Sequence, residues 1–540
     1  MKTRMFFSLL IAALLVFGVC EVQAWGGQDN VKKVNCNKGE TITYALQKSD
    51  GKPITIQVKG ACNENVTIDR DDVTLIAHPS GGAINGVEPI DATIIIMGDR
   101  TVIDGLTVTG GGDGIRVPGK SALIRNSTVQ NVGWHGIFFL GGNGTMDNCT
   151  ILNSGIDGVF VVYGSALVTN NTIQTSGYDG VAIGRGGIAT VTNSMIQNSG
   201  WNGVNIFDGG KATVTNNTIQ NSGIHGVNIS DGGSATVTNS TISSNTIFGI
   251  SFYKGGYGNV DNCTVQNNGS NGVSIERGIA TLTNNTISSN AMIGITIING
   301  GSARIGVLDG FGYAGNRISN NQSSGIIIFN GGSAYIGGNI ITGNGTNQDS
   351  LYGRNGIVVG LATAVLVGNN KITGNNGMGV VVRDNAGVKI GDPGFGLPIT
   401  GEYANEISGN ASGGIIGDQS ASLWIQDATI NENIGNGVFL GLHSTAVMFG
   451  NAINSNTGNG VGLGLRSTAR MFGNTINNNT GNGISLSRGG GLWLQDPAVT
   501  ITGHALFGLE CTDNESSYDG NTSGISGNTG GGVSESCTGF

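Results

Sequence analysis

Proline is nearly missing from this chain, at 7 of 540 residues, which excludes a collagen-like or proline-rich linker architecture. Charge is thin as well: Asp, Glu, Lys and Arg make up 11 % of the residues, against about 25 % in ordinary soluble domains. The 26 Lys and Arg are outnumbered by 35 Asp and Glu and are not clustered, so nothing is placed to release counterions from a phosphate backbone. Nucleic acid is therefore not expected as a partner. Beyond the first two dozen residues no apolar run reaches the ~18 residues of a membrane span, and the chain is not expected to be an integral membrane protein. Glycine, in contrast, is abundant: 97 residues, about 18 % against a usual ~7 %. With 38 % hydrophobic residues and a net charge of −9, the chain has material for a long core and does not read as disordered.

Residues 1–24 combine a basic start (Lys2, Arg4), an apolar run from Phe6 to Val19 and a small-residue exit, Val22-Gln23-Ala24. This pattern predicts a signal peptide cleaved after Ala24 and a secreted, periplasmic or cell-surface protein. Six cysteines remain after it, and in an oxidising compartment pairing is expected. Cys36 and Cys62 bracket the N-terminal segment, and Cys511 and Cys537 the C-terminal one. Each end could carry a disulfide staple, with connectivity left open by spacing alone.

The strongest signal is internal repetition. Residues 189–211 (ATVTNSMIQNSGWNGVNIFDGGK), 212–234 (ATVTNNTIQNSGIHGVNISDGGS) and 235–257 (ATVTNSTISSNTIFGISFYKGGY) align at a period of 23. A glycine followed by Ile or Val marks each unit from Gly114 to Gly483, mostly 22 or 23 residues apart. One unit holds three strand-like pieces, Ala212 to Thr215, Thr218 to Gln220 and Gly226 to Ile229, separated by Asn, Ser and Gly turns. A unit this small cannot bury its own apolar face. Winding successive units as coils aligns Val191, Val214 and Val237 and their companions into internal ladders. The slots hold Val and Ile, so a leucine-rich repeat does not fit; a propeller blade is about twice as long, and a left-handed hexapeptide helix advances in sixes. What remains is an all-β, right-handed parallel β-helix of about 16–18 coils, a rod whose stretch from Gly114 to Gly483 spans roughly 70 Å.

The expected organisation is an N-terminal cap over 25–75, with a short helix at 40–48, a β-helix over 76–505 and a C-terminal cap over 506–540. Open ends of such a stack expose strand edges and need cover. The Asn-x-Thr triplets, such as Asn170-Asn171-Thr172 and Asn216-Asn217-Thr218, resemble glycosylation sequons. Their phase with the repeat instead predicts asparagine ladders at a bend, where Asn tolerates left-handed dihedrals. Cys149 and Cys263 occupy the slot of Asn217 five coils apart, too far to bridge, and read as buried free thiols.

On its cap (VNCNKGETITYAL), the strand-like GKPITIQVKGACNENVTI and the repeated N-x-T-I and N-G-V units, the chain resembles the right-handed parallel β-helix repeat proteins of the pectate-lyase-like superfamily. The resemblance covers nearly the whole chain after residue 24. It implies the fold, and a choice among polysaccharide lyases, hydrolases, epimerases and adhesins. Polygalacturonases carry N-T-D, D-D, H-G and R-x-K; here His135-Gly136 and His225-Gly226 match the third element, while the D-D pair Asp71-Asp72 sits in the cap. The local sequence around a pectate lyase's arginine base and the D-P-H of C5-epimerases are absent.

The residue before the marker glycine is Asp113, His135, Asp157 and Asp179 in four successive coils, then Asn202 and His225. One position earlier stand Trp134, Ile156, Tyr178, Trp201 and Ile224. In register, neighbouring members of this row lie ~5 Å apart. Like charges that close can raise one carboxyl pKa, and carboxylates at these separations serve glycosidases. Trp134, Tyr178 and Trp201 could stack on sugar rings, and Arg116 and Arg185 could hold an anionic saccharide. The competing reading is turn chemistry, since Asp and Asn before Gly are ordinary turn residues and the slot later holds Asn271, Asn355, Asn436, Asn459 and Asn482. Insertions at 307–315 and 391–405 follow the same strand type, should project from one side and form a second candidate ligand wall, while a third, 343–355, lies in a different bend. No cofactor is expected, although Asp208 and Asp231, in D-G-G turns of adjacent coils, could share a calcium ion.

The sequence thus leads to an exported β-helix that binds a polysaccharide over the coils around 112–226. If it is an enzyme, lyase or hydrolase chemistry would use Asp157 or Asp179 as acid and His135 or Asp113 as base. The alternative is a non-catalytic structural protein or adhesin.

Overall fold

The computed structural model describes residues 30–539 apart from 50, 52, 308–311, 351–352 and 392–403. The signal peptide expected at 1–24 lies outside the described residues, as do parts of all three insertions. Apart from the first coils, where Ile54–Asn63 and Val73–Gly86 run on over two faces, each coil contributes three short strands, paired in parallel with their counterparts in the next coil. Around Val214 these are Lys211–Thr215 (first face), Thr218–Gln220 (second face) and Val227–Ser230 (third face). Val191 pairs with Val214 and Val214 with Val237; Ile196, Ile219 and Ile242 repeat this on the second face, and Val204, Val227 and Ile250 on the third. All nine are fully buried. Each contributes about 1.5–3 kcal/mol of hydrophobic stabilisation, and the alternation of buried and outward residues follows from the two-residue strand period.

Among the described residues the third face has twenty strands, from Val66–Ile68 to Gly531–Val533, more than the 16–18 expected. The first two, Val66–Ile68 and Ile94–Ile96, lack a preceding marker glycine and were invisible to a count of that motif. Stacking also runs beyond 76–505: Ile54–Asn63 pairs with Val31–Asn35 and with Val73–Gly86, and Phe507–Cys511 pairs with Gly531–Val533. The helix forms at Ile42–Gln47, its N-terminus capped by the Thr41 hydroxyl and by the Glu64 carboxylate, which accepts the Ile42 and Thr43 N–H groups at 2.7 and 3.0 Å. It turns Ile42, Ala45 and Leu46 onto the first coil.

The marker glycines are sites of close approach. A Cβ on Gly203 would lie 2.3 Å from Ile219 Cγ2 and 2.7 Å from the Gly226 carbonyl. At the bend between first and second faces Asn193, Asn216 and Asn239 are left-handed, with φ of 50°, 57° and 50°. The next residue points inward, and Asn285, Asn316, Asn339, Asn370 and Asn405 form a buried ladder in which each amide donates to the next coil's Oδ1. A second ladder runs from Asn245 to Asn479 and is closed by His504, whose Nδ1 accepts the Asn479 N–H at 3.2 Å. Cys149 and Cys263 occupy the first ladder's slot as buried free thiols, and burial pushes both up to about 11. Two disulfides, Cys36–Cys62 and Cys511–Cys537, tie each terminal coil to its neighbour.

Candidate functional site

The turn entering the third face, Ser176-Gly177-Tyr178-Asp179-Gly180 in one coil, places one residue outward and the next against the stack. Inter-coil bonds fix its register: Gly136 N–H donates to the Asp157 carbonyl, Gly158 N–H to that of Asp179 and Gly180 N–H to that of Asn202. Asp113, His135, Asp157 and Asp179 thus form one row in consecutive coils.

The carboxylates point along the rod. One oxygen of Asp113 accepts the His135 N–H at 3.2 Å, one of Asp157 the Asp179 N–H at 3.0 Å, and one of Asp179 the Asn202 N–H at 3.0 Å. The slot's later occupants do the same, as with Asn355 and the Met378 N–H or Asn482 and the Phe507 N–H. Two of the second oxygens are engaged, Asp113 by Arg116 Nε at 2.7 Å and Asp179 by Asn205 Nδ2 at 2.8 Å; that of Asp157 lies 3.2 Å from His135 Nδ1, outside hydrogen-bond geometry. All three aspartates are buried. Burial first, then the neighbouring Asp157 charge, raises Asp179 to about 6. Burial alone lowers His225 to about 4; its Nδ1 accepts the Phe248 N–H and its ring stacks on Phe248 at 4.8 Å.

Outside this row the preceding residues form an exposed column: Trp134, Tyr178 and Trp201 are 39, 41 and 48 % exposed, with half-buried Ile156 between the first two. The Tyr178 and Trp201 rings meet at 4.5 Å, and Trp134 lies over Gly112, where a Cβ would be 3.0 Å from its ring. Three aromatics that sequence reasoning passed over complete the surface. Phe138 and Phe160 stack at 5.2 Å on adjacent third-face strands, Phe207 continues the stack at 6.5 Å, and the His135 ring packs 5.2 and 4.9 Å from Phe138 and Phe160. The available signal was the outward position of Phe138 in Ile137–Leu140 and the 22-residue spacing to Phe160.

The two arginines part company. Arg116 joins the row, its charge taken up by Asp113 and, at 3.6 Å, by Asp91. Arg185 sits on the exposed turn after the strand, left-handed at φ 51°, and among the described residues makes no ion pair with the row. Asp208 and Asp231 are likewise left-handed turn residues, at φ 47° and 49°. Among the described residues no group of three or more His, Cys, Asp or Glu side chains converges as a metal site would require, and no helix is long and apolar enough to cross a membrane.

The model of the right handed beta helix region matches in overlapping segments from 92–184 to 355–529, most of the chain. This chain belongs to that family, and the right-handed parallel β-helix expected of it is the fold observed. Similar solved structures include an alginate lyase from Paenibacillus sp. str. FPU-7, 16 % identical over 44 % of this chain and 95 % of that one, TM-score 0.37. The mannuronan C-5 epimerase A-module of Azotobacter vinelandii is 14 % identical over 68 % of this chain and 96 % of its own, TM-score 0.37. The pre-mature gene product 12 of bacteriophage phi29 is 12 % identical over 91 % and 70 %, TM-score 0.36. Among curated proteins none matches the chain in sequence.

Proposed function

We propose that this protein works outside the cytoplasm and binds a polysaccharide along its third face, over the coils from about residue 112 to 226. The observation that carries this reading is the outward column, one residue per coil, of exposed Trp134, Tyr178 and Trp201 with half-buried Ile156 between the first two, beside the stacked Phe138 and Phe160. Aromatic side chains set on coils ~4.8 Å apart suit a linear chain of sugar rings lying along the rod. The two disulfides support an oxidising compartment.

Binding without cleavage is favoured by the aspartates themselves: both oxygens of Asp113 and of Asp179, and one of Asp157, already accept hydrogen bonds from the protein. Their role is to hold the turns that present the aromatic column. The test is a polysaccharide panel with binding, reducing ends and unsaturated uronate absorbance followed together. Saturable binding lost in Tyr178→Ala and Trp201→Ala, without products, is expected. Products abolished by Asp157→Asn and Asp179→Asn would assign the row to catalysis, with Asp179 as acid. Neither binding nor products would leave a structural rod.

A further inference from the structure

A second aromatic surface lies near the other end of the rod, on the first face. The strands Gly387–Ile390, Ser422–Gln426, Thr445–Phe449, Thr468–Phe472 and Gly491–Gln495 stack in register there. Register brings Lys389 next to Trp424, and two coils further on Arg470 next to Trp493, in one outward column about 19 Å long. Phe449 and Phe472 stand side by side in the adjoining column, ring centroids 6.2 Å apart, with Phe449 40 % exposed. Gln426 accepts the Trp424 indole N–H at 3.2 Å and fixes its orientation, and the Arg470 guanidinium lies 5.8 Å from the centre of the Trp493 ring.

The charge of this surface is the reverse of that at the third-face site. Lys389 and Arg470 are exposed, and among the described residues neither makes an ion pair. The outward positions of these five strands carry two cations and no carboxylate; Asp519 ends the column one coil beyond Trp493, and Asp427 borders it, accepting from Gln426 at 3.1 Å. We propose that this surface is a separate binding site for an acidic polysaccharide, with sugar rings stacked on Trp424 and the phenylalanines and carboxylates paired to Arg470 and Lys389. Arg suits this role because its guanidinium presents a fork of donors to a carboxylate.

The experiment titrates the full chain with polygalacturonate oligosaccharides and with neutral cello-oligosaccharides of equal length, at low and high salt. It is run in the parent and in a Tyr178→Ala/Trp201→Ala background, so that failure of the third-face reading leaves this result intact. The acidic ligand is expected to bind in both backgrounds and to weaken with salt. Trp424→Ala or Arg470→Ala should each lower affinity by about tenfold or more. Affinity within twofold of the parent in both variants would overturn the proposal. So would equal, salt-insensitive binding of the neutral ligand, or a dimer by light scattering that Phe449→Ala dissociates.

Discussion

Asp179→Asn tests the physical reading of the buried row. An asparagine fits, because Asn202 fills the same slot one coil on. The folded protein holds the Asp179 proton up to about pH 6, whereas the unfolded chain releases it near its ordinary value of 3.8. Between those values the native state binds the extra proton, so this residue's contribution is fully present below about pH 4, is lost as pH rises through 6, and is constant above. A shift of this size corresponds to a penalty of up to about 3 kcal/mol at pH 8. The substitution removes it but sacrifices the Asn205 amide's bond to the second oxygen, about 1 kcal/mol. The variant should therefore be about 2 kcal/mol more stable locally than the parent at pH 8, and no more stable at pH 4. A solenoid of twenty strand layers does not open as one unit, so the assay is hydrogen exchange of the amides in coils 157–206 at the two pH values, corrected for intrinsic rates. An Asp179→Asn difference that is the same at pH 4 and pH 8 would refute the argument.

Three further outcomes follow from the packing. Ser154, Ser176, Ser199 and Ser222 occupy the second ladder's slot before it turns to asparagine, with buried hydroxyls that lack a partner; Ser222→Asn should extend the ladder onto Asn245 and stabilise its coil by about 1 kcal/mol, seen as slower local exchange. Replacing Cys511 and Cys537 by alanine should release about 3 kcal/mol of constraint and speed exchange in Phe507–Cys511 roughly a hundredfold, leaving coils near Val214 unchanged. Ile219→Ala, in mid-rod, should cost about 2–5 kcal/mol, measured as faster hydrogen exchange of the amides in its own and adjoining coils.

The fold was legible because each coil must repeat the same physics. Val191, Val214 and Val237 face one interior, Asn216 and its counterparts turn one bend, and the period exposes both. Cys149 and Cys263 were readable as buried thiols for the same reason: they interrupt an inward-facing slot. The site was legible only in register. That Asp113, His135, Asp157 and Asp179 align follows from the period; that their oxygens run along the stack onto the next coil's N–H groups depends on side-chain direction, which spacing does not carry. Phe138, Phe160 and Phe207 escaped notice because outward residues on that face change from coil to coil, Arg116 and Ala182 flanking the phenylalanines in register. Nothing in the core requires them, so no periodicity announces them.

Hydroxyl-radical footprinting of the protein saturated with the polysaccharide it binds best addresses the third-face assignment most directly. Protection is predicted at Trp134, Tyr178 and Trp201, with Tyr163 and Tyr257, comparably exposed on other surfaces, labelled as in the free protein. Unchanged labelling of the three column residues, with protection at Tyr163 or Tyr257 instead, would contradict it.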